Sequence, residues 1–298
     1  MSERILEYNI TIEDEGKKIS DFLSEKGYSS ALKTRLKKDE SAVLLNEEPG
    51  FINRLLTDGD VIKICIRETE SSEKIPPVDI PIDIIYEDED IIVVNKPAGM
   101  PIHPSLNNYD NTLGNAIAFR CRSQGDNFVY RCINRLDRDT SGLTIIAKNM
   151  LAACVLYDEM LKHNIKRTYY AIVEGEVSDL HGRIDLPIGR KEGSTIERVI
   201  DHINGDRAIT NYETVRTGNG FSLLKLNLET GRTHQIRVHM KAVGHPLIGD
   251  FLYNPDNADM GRQALHAGNL SFVHPVSGKA LIFSASFPED MQKMIDML

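Results

Sequence analysis

The segment INRLDRDTSGLTIIAK, residues 133–148, changes character half-way along. Polar and charged residues fill 134–141, and then Leu143, Ile145, Ile146 and Ala147 continue as an apolar strand. Asp137 stands between Arg135 and Arg138, with Thr140, Ser141 and Gly142 directly after it. Such a loop offers a carboxylate, flanking positive charge for phosphate, and hydroxyl donors, all steered by the strand behind it. A solvated turn with incidental ion pairs has the same composition, so the neighbouring segments must decide between the two.

From residue 82 onward, short strands broken by glycine and proline dominate. They include IIVVNKP (91–97), TYYAIVEGEV (168–177), FSLLKLNLET (221–230) and ALIFSASFP (280–288). Convincing helical periodicity is confined to 149–163, 233–243 and a short C-terminal stretch, 288–297. Many strands with few helices predict an α+β domain with a mixed, antiparallel-rich central sheet, not alternating βαβ units. Before it, residues 17–39 read as two short helices. Ile19, Phe22 and Leu23 form one face, Gly27 is a stop, and Ser29 or Ser30 caps the second helix. Strand residues Val61, Ile62, Ile64 and Ile66 complete a small α/β unit. ESSEKIPPVDIP (70–81) has the composition of a linker stiffened by Pro76 and Pro77. The division is therefore 1–70, a linker at 71–81, and a main domain at 82–298, with the small unit expected to move about the linker.

Composition bounds the function. A chain of 298 residues, 41% hydrophobic and 27% charged, can bury one substantial core and a smaller one. No run approaches the roughly 18 apolar residues needed to cross a bilayer, and the N-terminus has no secretory pattern. A cytoplasmic location with no membrane partner is expected. Cys65, Cys121, Cys132 and Cys154 are scattered, without zinc or redox spacing, and read as buried thiols. The formal net charge of -9 argues against a uniformly basic nucleic-acid binder. Local distribution differs, however: ALKTRLKK (31–38) carries four positive charges, Lys33, Arg35, Lys37 and Lys38, and no acid.

Further segments could carry chemistry. In TGRTHQIRVH (230–239), Arg232 and Arg237 bracket Thr233, His234 and Gln235, which suits an anionic or planar polar ligand. His234 and His239 are five apart, whereas a helical zinc pair needs four, so no metal site is expected. Tyr169 and Tyr170 fall on opposite faces of one strand, one for the core and one for a cleft. The glycines of VNKPAGMPIHP (94–104) do not have nucleotide-cradle spacing. A hydrolase using a His–Asp pair would need a G-x-S-x-G elbow, which is absent from the sequence.

Taken together, VVNKPAGMPIHP, NRLDRDTSGL, TYYAIVEG, GRTHQIRVH, GHPLIGD and LHAGNLSFVHP resemble, in order, the motifs of the RluA-type pseudouridine synthases. The resemblance spans almost all of 82–287. It implies the pseudouridine synthase fold and isomerisation of uridine in structured ribosomal or transfer RNA, by nucleotide flipping and without cofactor or metal. It implies that Asp137, and not Asp139, is the essential carboxylate. Tyr169 is then expected to contact the base and Arg232 to pair with Asp137. Arg135 would occupy the gap left by the flipped nucleotide. Asn134, Arg138, Thr140, His234, Gln235 and Arg237 join it as expected RNA contacts. Residues 16–64 resemble the small RNA-binding module named after a small-subunit ribosomal protein, with Lys33, Arg35, Lys37 and Lys38 facing RNA. A monomer is expected. One position departs from the pattern: the family usually has histidine where this chain has Asn134. That departure motivates the rival expectation, a non-catalytic RNA-binding or ribosome-assembly factor that retains the fold.

Overall fold

The computed structural model describes residues 3–68, 72, 74–125, 129–257 and 259–298. The N-terminal unit pairs β1 (Glu3–Asn9), β4 (Val61–Arg67), β2 (Val43–Leu45) and β3 (Glu48–Pro49) in that order. Helices α1 (Ile19–Glu25) and α2 (Ser30–Leu36) cover the sheet, burying Ile19, Phe22, Leu23, Leu32 and Leu36 against Ile62 and Ile64. Ser29 caps α2 by accepting from the Leu32 amide.

The main sheet has nine strands. Eight run in the order β5 (Asp83–Glu87), β6 (Ile91–Lys96), β7 (Ser141–Ala147), β14 (Leu265–Val273), β8 (Lys166–Glu174), β13 (Phe221–Leu228), β12 (Ile209–Gly218) and β9 (His181–Asp185). The ninth, β15 (Ala280–Ser284), pairs with β14. Only the β7–β14 contact is parallel among the described pairs, so the mixed, antiparallel-rich α+β class holds.

Both faces are covered around the centre, which is why β7 is buried along its whole length. Ile91, Val93 and Ile145 pack on α4 (Met150–Leu161), whereas Ile92, Val94 and Ile146 pack on α3 (Leu113–Ser123). Each such side chain contributes roughly 1.5–3 kcal/mol through burial. Further along the sheet, α5 (Gln235–Ala242) packs on one face through Ile236 and Met240. On the other face, α6 (Glu289–Asp296) packs through Met291, Met294 and Ile295.

Gly142 makes the β7–β14 join. Its φ is +114°, and a Cβ there would lie 2.3 Å from the Ala267 carbonyl oxygen. Only glycine lets the end of the 134–141 loop approach β14 this closely.

The N-terminal unit is not free to swing, contrary to the expectation from the linker. Its core continues into Leu151 of α4, with Met150, Val155 and Val276 packed alongside. Arg4 donates a fork to Asp90, at 2.9 and 3.0 Å, and Arg131 reaches Glu68 at 3.0 Å. Residues 69 and 70, and residues 71 and 73 of the linker, lie outside the described residues. The remainder is tied down: Asn115 donates to the Pro76 carbonyl at 2.7 Å, and Ile75, Ile80 and Ile82 pack on the α3 cluster.

Candidate active site

The 134–137 and 230–237 segments meet in one cleft of about 530 Å³, together with the start of β8. That volume lies within the roughly 300–1,000 Å³ usual for a ligand pocket. Asp137, Tyr169, Arg135, Arg232, His234 and Arg237 all line it.

At its centre the Arg237 guanidinium donates from Nη1 to Asp137 Oδ2 at 3.0 Å. Nε and Nη2 of the same group form a fork onto Asp250, at 2.7 and 2.8 Å. Asp250 is fully buried and also accepts the Leu252 and Tyr253 amides. Burial opposes the charge on Arg237, but the hydrogen bonds and charges of Asp250 and Asp137 outweigh it and raise its pKa. The Tyr253 ring lies 4.9 Å from the guanidinium carbon, a cation–π contact. Asp137 is thus held by a cation that is itself fixed from behind, while 27% of its side chain stays open to the cleft.

His234 stands beside the same carboxylate. Its φ of 57° is left-handed, which is uncommon outside glycine and lets α5 begin at Gln235. The Tyr253 hydroxyl accepts from the Arg198 amide and shares a hydrogen bond of 2.9 Å with His234 Nδ1. The other ring nitrogen, Nε2, lies 3.9 Å from Asp137 Oδ2. Burial lowers the His234 pKa, against the pull of Asp137, which favours the neutral ring.

The loop carrying Asp137 is fastened residue by residue. Lys96 Nζ donates to the Arg138 carbonyl at 3.0 Å, and Arg262 Nη1 to the Asp139 carbonyl at 3.1 Å. Gln263 Nε2 reaches Thr140 Oγ1 at 3.3 Å, and Ser141 Oγ bonds His266 Nδ1 at 2.9 Å. Burial pushes the Lys96 ammonium down to about 7, with Asp139 and Asp137 opposing the shift.

Several expected RNA contacts are spent inside the protein. Asn134 is buried at the cleft wall; it donates to the Leu143 carbonyl and accepts the Ile145 amide, so its side chain braces β7. The departure at this position is local support, and it gives the non-catalytic alternative no footing. Thr140 is buried under Gln263. Gln235 is buried and fully used by Thr230, Arg232 N, Ile209 O and Thr210. Arg237 is committed to the two carboxylates. Arg138 forks onto Asp139 and holds that carboxylate beside itself.

Arg232 is also reassigned: it lines the cleft but pairs with Asp206 at 3.4 Å and donates to the Arg207 carbonyl, leaving Asp137 to Arg237. Tyr169 is nearly buried, sits in the apolar cluster behind the cleft and lines its wall. Arg135 stays exposed at the cleft. Asp250, Tyr253 and Arg262 were not singled out from sequence. GHPLIGD marked the segment of Asp250, but not what this residue binds.

Among the described residues one group has metal-ligand spacing, Asp88, Asp90 and His274. Its atoms are engaged. Asp88 accepts Tyr86, His274 and two backbone amides, and Asp90 holds Arg4 and Asn149. The group fastens the N-terminal unit and contributes nothing to the cleft.

This geometry can now be set beside known proteins. Residues 90–242 match the family model described as RNA pseudouridylate synthase. The chain belongs to the RNA pseudouridylate synthase family. It is an RNA pseudouridine synthase, an isomerase whose reaction converts uridine to pseudouridine in RNA. It is 36% identical to the uncharacterized RNA pseudouridine synthase YjbO of Bacillus subtilis, over 93% of this chain and 98% of that one. It is 43% identical to ribosomal large subunit pseudouridine synthase D of Zymomonas mobilis, over 74% of each chain. Among solved structures, human RNA pseudouridylate synthase domain containing 1 superposes with a TM-score of 0.59 at 28% identity, covering 72% of this chain and 86% of that one.

A pH dependence of stability follows from the histidines. Burial is the leading cause that lowers the pKa values of His103, His234, His239 and His266. An unfolded chain binds protons at these sites below about pH 6.5, whereas the folded synthase resists them. The stabilisation is complete above that pH and is lost as pH falls through the lower folded values. The urea midpoint should therefore drop between pH 7.5 and pH 5.5; a constant or rising midpoint would contradict the assignment.

Proposed function

We propose that this isomerisation takes place at Asp137, on a uridine of structured ribosomal or transfer RNA extruded into the cleft. The observation that carries the reading is the Asp137–Arg237–Asp250 chain, which fixes a partly open carboxylate on the cleft wall. A stacked uridine hides its glycosidic bond, and extrusion costs a few kcal/mol, which favours loops and strained sites. In the pocket, Tyr169 lies against the base, and Arg135 stands ready to fill the vacated stack. The glycosidic bond breaks, the uracil turns while bound, and C5 joins the ribose as its proton leaves. Atoms are conserved and no redox change occurs, so the scheme calls for neither cofactor nor metal. The resemblance to a ribosomal large subunit enzyme makes ribosomal RNA the first target to test.

The N-terminal unit is proposed to add RNA affinity, within a division into 1–70, a 71–81 linker and an 82–298 catalytic domain. Its basic helix is narrower than its sequence implies. Lys33 bonds the Ser20 carbonyl and the Ser24 hydroxyl, and Arg35 bonds the Arg67 carbonyl. Lys37 and Lys38 remain exposed. Replacing these two with alanine should weaken RNA binding and lower the salt slope of log affinity by about 1.4–1.8, two phosphate contacts' worth. Titrations at several KCl concentrations check this; an unaltered slope would mean that the helix faces away from RNA.

A cytoplasmic monomer completes the proposal, supported by four unbridged cysteines. Among the described residues no helix is long and apolar enough to cross a membrane. The test is chemical mapping of pseudouridine in ribosomal and transfer RNA from cells with and without the gene. A site that vanishes on deletion and returns with the parent gene, but not with Asp137→Asn, supports the reading. Identical maps overturn it.

A further inference from the structure

Arg167 is a cleft cation that the isomerisation scheme leaves unused. It precedes Tyr169 by two residues on β8, so the two side chains share a face, and both line the cleft. Its guanidinium lies against Gly231, where a Cβ would sit 3.6 and 3.7 Å from the two terminal nitrogens. Gly231 does not have a left-handed φ, so the backbone does not require glycine there. What glycine provides is a bare surface beside the guanidinium.

The neighbouring arginines of the cleft are committed, Arg232 to Asp206 and Arg237 to two carboxylates. The side chain of Arg167, half-buried, forms no hydrogen bond or ion pair among the described residues. In a chain of net charge -9, with 44 acidic residues available, an arginine left without a carboxylate in a functional cleft is set aside for an anion from outside. A guanidinium fork matches a phosphodiester and fixes its orientation as well as its charge.

We propose that Arg167, with the open surface of Gly231, is the seat for a backbone phosphate flanking the extruded uridine. This rests on the cleft being where RNA is isomerised. The seat sets the strand's register, so that the nucleotide reaching Tyr169 and Asp137 is the correct one. Arg167 is a binding and positioning residue and takes no part in bond making.

The test uses the full-length protein and a uridine-containing RNA stem-loop. Affinity is titrated over a range of KCl concentrations, and single-turnover conversion is measured against RNA concentration. Arg167→Gln should lower affinity about tenfold and reduce the salt slope by about 0.7–0.9, one phosphate contact. The half-saturating RNA concentration should change far more than the saturating rate. Arg167→Lys should recover the slope. Gly231→Asp leaves Arg167 in place but sets a carboxylate against it, and should lower the slope as Gln does. Should Arg167→Gln fail to fold, the Gly231 variant decides. A purely structural role would shift the unfolding midpoint and leave the salt slope alone. An unchanged slope in the folded variants, or a loss confined to the saturating rate, overturns the proposal. Failure of the parent protein to convert uridine would instead overturn the assignment of the cleft.

Discussion

Asp137→Asn should lower single-turnover pseudouridine formation by about a thousandfold or more, while RNA affinity stays within about threefold of the parent. Asparagine has nearly the same shape, and Arg237 keeps its fork to Asp250, so the buried charges remain balanced. What disappears is the one carboxylate that, among the described residues, is both fixed and open to the cleft. Asp139 cannot stand in, because Arg138 holds it in a fork and its backbone carbonyl is tied to Arg262. A displacement of even about 1 Å costs roughly a hundredfold in rate. Asp139→Asn should accordingly be much milder. Rapid-quench conversion and a binding isotherm for each variant decide the point, and near-normal turnover by Asp137→Asn would remove this residue from the chemistry.

Arg237→Met should cost both stability and activity. The change leaves Asp250 fully buried and charged with no counter-ion. Breaking a buried pair from one side costs about 3–5 kcal/mol, more than either charge contributes when both are present. Asp137 loses its arginine partner in the same step, so turnover of the folded fraction should fall by about a hundredfold. Adding Asp250→Asn to Arg237→Met should recover part of the stability and none of the activity, because it removes the stranded charge but does not orient Asp137. Arg232→Met, which gives up only the surface pair with Asp206, should be far milder on both counts. Urea midpoints at constant m-value, with rates measured beside them, check each effect. A single Arg237 variant within about 1 kcal/mol of the parent would contradict the buried-pair account.

The sheet was legible where a strand is buried on both faces, as in IIVVNK and SGLTIIA, because a continuous apolar run bounded by glycine or proline has few other fates. Helices α4, α5 and α6 also fall within their expected ranges. Helix α3 was missed. Gly114 and Asn115 sit in its first turn and weigh against helix locally, while the capping box between Thr112 and Asn115 uses asparagine where glutamate is the familiar signal. Strand β1 was missed as well, since only Leu6 is buried along it and its pairing with β4 is long-range.

At the site, the two loops and Asp137 were visible, but the assignment of Arg232 was not sound. Which arginine reaches the carboxylate depends on His234 adopting a left-handed φ and on Asp250 arriving from 13 residues further along the chain. Periodicity carries neither fact. Asn134, Thr140 and Gln235 show the same limit. A polar side chain beside a reactive loop looks alike in sequence whether it faces the ligand or satisfies buried backbone. In each of these three cases it does the second.

Release of label from RNA made with 5-tritiated uridine tests the central claim most directly, because joining C5 to the ribose expels the hydrogen at that carbon. Ribosomal and transfer RNA from cells lacking the gene, labelled in this way, would be incubated with the purified protein and, at matched RNA occupancy, with Asp137→Asn. The account predicts tritium release by the parent protein in fixed proportion to RNA, at discrete positions, and release slowed by about a thousandfold or more in the variant. No release by the parent from either RNA, or equal release by the variant, would contradict it.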